Sequence, residues 1–295
     1  MRMSKTEKCM NVINIVLIVL LCIITLYPYI NQLAISLNEG TDAMRGGITI
    51  FPRKFTLENF SAVIKNKKII DAAYISVLRV VLSVSLSLVV TFSAAFALTR
   101  PGLGGRKQIT WFLCIPGYIS AGLIPHYIVY RYYGLINNFW IYVIPGLFSF
   151  YNMIIMRSFL QEIPRSIEES ALIDGANEVQ TLFKIILPLS MPVIATVALW
   201  IAVGGWNDWT TTLQFVTKPK LFTLQYVMMQ IIKESEVAQK MAADQAVTGR
   251  VETVNITSES VRSAVLIVST LPIIMVYPFL QKYFIKGVTL GAVKE

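Results

Sequence analysis

The chain has 295 residues, 55% of them hydrophobic and 15% charged, with a formal net charge of +9. Its mean hydropathy of +0.61 lies far above that of soluble domains, which excludes an ordinary soluble fold. The positive balance suits anionic lipid headgroups, and nucleic-acid binding is disfavoured because the basic residues are scattered among loops.

No Asp, Glu, Lys or Arg occurs from Cys9 to Asn38, between Lys107 and Arg131, from Tyr132 to Met156, from Ile185 to Asn207, or from Ser263 to Gln281. The stretch from Ala72 to Thr99 carries only Arg79. Each window exceeds or approaches the about 20 apolar residues that a bilayer-spanning helix needs. The sequence therefore reads as an all-α integral membrane protein with six transmembrane helices, one membrane domain over 12–283 between segments 1–11 and 284–295.

In chain order, the first helix is expected from Val12 to Leu37. Arg2, Lys5 and Lys8 before it resemble a signal-peptide start, but the apolar run is too long and lacks a small-x-small cleavage site, so a retained helix is expected. A loop follows, with turn signals at Asn38-Glu39-Gly40, Gly46-Gly47 and Phe51-Pro52. The second helix ends at Arg100-Pro101-Gly102. The third ends near Tyr130, and the fourth, interrupted at Pro145-Gly146, reaches about Phe159. The fifth closes at Trp206-Asn207-Asp208 and gives way to a polar segment over about 207–260, in which Val237, Met241 and Ala242 recur at helical spacing. The sixth carries Pro272 and Pro278. Cys9, Cys22 and Cys114 lack metal-ligand spacing and imply neither a disulfide nor zinc.

Between the fourth and fifth apolar windows lies a polar stretch, EESALIDGANEVQTLFKIILPL, from Glu168 to Leu189. Ser166 followed by Glu169 has the capping-box pattern, and Glu168 and Glu169 suit the positive end of the helix dipole. Asp174-Gly175 is a stop signal, Asn177 and Gln180 form a second box, and Pro188 predicts a kink. A helix this short is marginal in water and has to pack on something; Ser170 and Ala171 let a partner approach closely.

Glu169-Ser170-Ala171, three residues, Gly175, nine residues, Ile185, one residue, then Leu187-Pro188 resembles the EAA loop of permease subunits of ATP-binding-cassette importers. Serine replaces the first alanine of the usual triplet. The run NNFWIYVIPGLFSFYNMIIMRSFLQEIPRSIEE, the WND at Trp206 to Asp208 and the ending QKYFIKGVTLGAVKE are similar to the carbohydrate, maltose-type branch of that family. The resemblance implies a type I ABC importer permease fold in a bacterial cell membrane. It implies that the loop, about 164–188, is a cytoplasmic coupling helix seated on an ATPase, with Glu168, Glu169, Ser170, Ala171, Asp174, Gly175, Ile185, Leu187 and Pro188 as the coupling residues. Both termini are then cytoplasmic and the segment 207–260 external. Charge counting does not choose that orientation, because the first loop holds Arg45, Arg53, Lys54, Lys65, Lys67 and Lys68.

The implied partners are a second permease subunit, two ATPase subunits and an extracytoplasmic solute-binding protein. No G-x-x-x-x-G-K-[ST] loop occurs in the chain, so ATP and magnesium are expected on the ATPase partner and no cofactor on this chain. Sugars offer apolar C–H faces and many hydroxyls, which makes Asn152, Trp206, Asn207 and Asp208 candidates for the substrate pathway. Arg79 is read as a contact to an anionic or hydroxyl-rich solute, or else as a snorkelling side chain or the partner of an acid on a neighbouring helix. His126, the single histidine, reads as a hydrogen-bonded bundle residue. An intramembrane enzyme and an ion-coupled transporter are disfavoured, because the spans hold no Asp or Glu. An importer of this class for a non-sugar solute remains the alternative.

Overall fold

The computed structural model describes residues 5–100, 102–119, 121–246 and 257–292. Helices dominate, and the only β-type pairing among the described residues is an isolated bridge between Asn38 and Phe55. In hydrocarbon every backbone N–H and C=O has to be paired within the chain, and a helix achieves this locally. Lys8–Ser36, Lys67–Ala97 and Glu259–Val276 are each long and apolar enough to cross a membrane. Three bent pairs raise the number to six: Arg106–Tyr118 with Leu123–Tyr132, Phe139–Gly146 with Phe150–Glu162 (47°), and Glu178–Leu189 with Met191–Asn207 (74°). The expected six-span architecture is present, but half of the spans are broken rods.

The breaks follow from residue chemistry. The chain between Phe139 and Gly146 forms two 3-10 turns around Pro145, and Ser149 then caps the helix Phe150–Glu162 by accepting from the Asn152 amide at 3.3 Å. Near Pro188 the effect is larger. A proline ring crowds the carbonyl four residues back; here the five residues Leu182–Ile186 widen into a π-helix, and the chain turns at Ser190.

Two compact units result, one comprising Met1–Ile70 with Val227–Pro272 and the other Asp71–Tyr226 with Ile273–Glu295. In the first unit, the helix Lys5–Ser36 is exposed along its whole apolar length up to Ile30. Beyond it a polar knot organises residues 38–66. Asn59 is buried and donates to the Ser36 and Asn38 carbonyls at 3.0 and 2.9 Å, satisfying the end of the first helix. Asn38 donates to Asp42 at 3.0 Å, and Arg53 donates to the same carboxylate at 2.9 Å. The Asn38 amide and the Arg53 guanidinium together outweigh burial and hold the Asp42 carboxyl below its ordinary range.

In the second unit, Phe92, Ala95, Leu98, Met153, Met156, Leu160, Ile186, Val193 and Val197 form one buried cluster. It joins the second span, the fourth, and both halves of the fifth. A second cluster gathers Ile75, Leu135, Ile141, Tyr142, Val143, Phe215 and Val216.

Several boundaries differ from expectation. The polar segment after the fifth span is largely structured: Thr210–Phe215 is a helix, and Leu224–Ala246 is a helix of 23 residues that starts well before the expected amphipathic stretch. Val237 is exposed on it; the side chains of Met241 and Ala242, and residues 247–256, lie outside the described set. The sixth helix, Ser258–Ala292, passes Pro272 and Pro278 and continues into the expected tail, whose residues 293–295 are likewise outside it.

Asn59→Leu keeps the volume but removes both hydrogen bonds from the first helix end. We expect it to destabilise the folded protein by about 1–3 kcal/mol, read as a lowered unfolding midpoint in detergent, whereas a substitution at exposed Lys65 leaves the midpoint unchanged.

Candidate functional site

The EAA-type segment folds as a helix, a tight reversal and a second helix. Pro164 restricts Ile163 to an extended conformation, which ends the preceding helix at Glu162, and the new helix runs over Arg165–Ile173. The expected Ser166–Glu169 capping box does not form. Pro164 occupies the N-cap position, so Ser166 already lies inside the helix, where its carbonyl accepts from Ser170 Oγ at 2.8 Å. The stop forms as expected. Gly175 has φ +81, the Gly175 amide donates to Leu172 O at 3.0 Å, and the Ala176 amide donates to Ala171 O at 2.9 Å. That pair of bonds is a Schellman closure, which requires the left-handed conformation that glycine takes without strain. The second box is present: Asn177 Oδ1 accepts from the Gln180 amide at 2.8 Å, and Gln180 Oε1 accepts from the Asn177 amide at 3.1 Å.

Packing decides which side faces inward. Ala171 is buried, and Glu168 forms a bidentate pair with Arg100 at the end of the second span. Arg100 also covers the Phe96 ring at 3.9 Å. A cleft of about 450 Å³ opens here, lined among others by Thr99, Arg106, Gln161 and Glu169. The flanks are tied down from both sides, because Leu160 before the helix and Ile186 after it share the same buried cluster. Ile185 and Leu187 are half-buried and Pro188 exposed. The outward side keeps large apolar groups in the open: Leu172, Ile173 at 86% exposure, Val179 and Phe183. Glu169, Ser170 and Asp174 share that exposure. The segment is thus a rigidly held, outward-facing apolar patch on a polar, capped backbone.

A second polar centre sits at the far end of the fifth span. Arg79 pairs with the Asp208 carboxylate, donates to the Asp208 carbonyl at 3.0 Å and lies 4.8 Å from the Tyr142 ring centroid. Thr210 and Thr211 hydroxyls donate to Asp208 at 2.7 and 2.6 Å. Burial alone would raise the Asp208 pKa; the Arg79 charge and the two threonines outweigh it and hold the carboxyl at about 2. Tyr142 completes the frame by donating to the Leu221 carbonyl at 2.7 Å, with Thr212 Oγ1 at 2.9 Å.

The pathway candidates separate on this geometry. Arg79 forms the ion pair that one of its readings expects. Asp208 is committed to the same pair. Trp206 and Asn152 are buried rather than open, and Asn207 alone of the five is exposed. His126 is exposed; its ring hydrogen-bonds within its own helical turn, to the Gly122 carbonyl, and stands 5.7 Å from Tyr130. Arg100 was not singled out from sequence. The available signal was its position as the last charge before Pro101-Gly102, facing the connector rather than water. Among the described residues no cluster of His, Cys, Asp or Glu is arranged to hold a metal ion.

Residues 60–290 match the family model described as binding-protein-dependent transport system inner membrane component. Protein LplC of Bacillus subtilis (strain 168) is 32% identical over 295 residues, covering 100% of this chain and 98% of that protein. The polygalacturonan/rhamnogalacturonan transport system permease protein YtcP of the same organism is 31% identical, covering 94% and 95%. Among solved structures, a chain from a bacterial ABC transporter involved in the import of the acidic polysaccharide alginate superposes with a TM-score of 0.85 at 27% identity, covering 96% of this chain and 99% of that one. With a matched region spanning most of its length and such relatives end to end, this membrane chain belongs to the family of binding-protein-dependent transport system inner membrane components.

Proposed function

We propose that the chain is the permease subunit of an ATP-driven, binding-protein-dependent importer of carbohydrate, an oligosaccharide, and forms half of the translocation pathway. The chain transports rather than catalyses. The carbohydrate names of its relatives support the cargo; the observation that carries the mechanism is the exposure of Leu172 and Ile173 on the anchored helix Arg165–Ile173, with Val179 and Phe183 exposed on the segment that follows it. Apolar groups of that size, held in place and left open, mark a docking surface. In this reading the patch seats on a cytoplasmic ATPase subunit, which binds ATP and magnesium. A second permease subunit, a second ATPase and an extracytoplasmic binding protein complete the assembly.

Force enters through Arg165–Ile173 and passes to the spans along stiff connections. The Arg100–Glu168 pair ties the helix to the second span, and Leu160 and Ile186 tie it to the fourth and fifth. A packed core shifts as a body rather than deforming, so movement of the docked helix is carried into the bundle. Closure of the ATPases around ATP supplies the differential contact that such a switch requires. Both termini and the coupling loop are then cytoplasmic.

Gly175→Val places a branched side chain at φ +81, and a left-handed non-glycine residue costs about 1–2 kcal/mol. ATP-driven uptake by the complete complex in proteoliposomes should fall about tenfold, with membrane insertion intact; undiminished uptake would refute the coupling role. Glu168→Arg and Arg100→Glu should each impair uptake, and the double exchange should recover much of it, because a restored pair re-forms the tie. Single cysteines at Ile173 and Ala62 report topology. An impermeant thiol reagent applied to intact cells should label the second and spare the first; the reverse would invert the orientation.

A further inference from the structure

One pair of rings in the second unit has no place in the coupling apparatus. Tyr151, the second residue of Phe150–Glu162, and Trp200, near the middle of Met191–Asn207, stand with ring centroids 6.0 Å apart and planes inclined at 33°. Both are open, at 64% and 41% exposure. Trp200 is about 14 Å from the start and about 10 Å from the end of its helix at 1.5 Å per residue, and Tyr151 lies just past the bend within its own span.

That depth is wrong for lipid. Tyr and Trp favour the headgroup level, where their polar tips meet water. Facing hydrocarbon at mid-span, the Tyr151 hydroxyl and the Trp200 indole N–H would be left unpaired, which is costly; neither has a protein partner among the described residues. Beyond half-buried Ile154 and Ile155 on the first face, and beside half-buried Val203 on the second, both faces carry polar or small residues. One or more turns from Tyr151 come the exposed Ser158 and Glu162, and Thr196, Trp200, Gly204 and Asn207 follow one another along one side of the fifth span. The first span is the contrast, since its exposed residues include Ile13, Leu17, Leu20, Leu21 and Ile24, the composition of a lipid-facing surface. Beside Trp200, Gly204 leaves a gap: a methyl group added there would meet no atom within 4 Å.

We propose that Tyr151 and Trp200 form a sugar-stacking subsite of the translocation pathway. Their electron-rich ring faces take the C–H face of a pyranose unit, Gly204 leaves room for the ring, and Asn207, about a turn further on, offers its amide to a hydroxyl. The subsite rests on the carbohydrate reading above. Stacking without a charged anchor holds a sugar loosely and in no fixed register, as a unit moving along a chain-length substrate requires.

The test uses the complete complex with its binding protein in proteoliposomes, offered labelled oligogalacturonides from a polygalacturonan digest and, separately, maltodextrins. Trp200→Ala should lower uptake of the carried saccharide about tenfold, the loss expected for a stacking face, while Trp200→Phe retains most of it and ATP hydrolysis persists in both. A cysteine at Tyr151 should react with a water-soluble methanethiosulfonate, and the saccharide should protect it. Wild-type uptake in Trp200→Ala overturns the subsite but leaves the carbohydrate reading standing. Reaction with membrane-soluble reagents alone, or sugar-independent cross-linking to the second permease subunit, also overturns it. Failure of the wild-type complex to carry any saccharide removes the carbohydrate reading itself, and the subsite with it.

Discussion

The placement of the helix Arg165–Ile173 depends on one patch of packing: Leu160 and Ile186, on either side of it, locked in one cluster with Phe92, Met153, Met156 and Val197. A helix of nine residues has too few internal bonds to persist alone in water. Here its ends are fixed by side chains that belong to the membrane bundle, and its inward face by buried Ala171. The outward face is thereby free to remain apolar and exposed.

The same logic explains why the polar contacts are placed where they are. Arg100–Glu168 and Arg79–Asp208 are half-buried to buried pairs, and ion pairs of this kind add little net stability once desolvation is counted. Their value is geometric. One orients the helix Arg165–Ile173 against the second span; the other joins that span to the end of the fifth, with the Tyr142 ring as its backing. The second span therefore carries one polar tie along its length, at Arg79, and another just beyond its end, at Arg100, with Phe92 and Ala95 of the apolar cluster between them.

Breaks in the spans serve the same end. Three of the six crossings are bent, at Pro145, at Pro188 and around Gly122. Asn152 and Trp206 turn inward to the bundle, whereas Tyr151, Trp200 and Asn207 turn outward. Neighbouring residues thus differ in which way they face, because adjacent positions on a helix lie about 100° apart.

The number and class of the spans, the Gly175 stop and the Asn177–Gln180 cap were determined by the sequence alone, since hydrophobic length and capping involve only neighbours within a few residues. Even so, the local Ser166 cap lost to Pro164, whose fixed φ moved the helix start by two residues. Only the tertiary structure decided that Arg79 meets Asp208, 129 residues away, and that Arg100 meets Glu168, 68 residues away. It alone paired Tyr151 with Trp200 and buried Trp206. Such choices depend on the rotation and register of packed helices, which depend on side chains from the whole bundle at once.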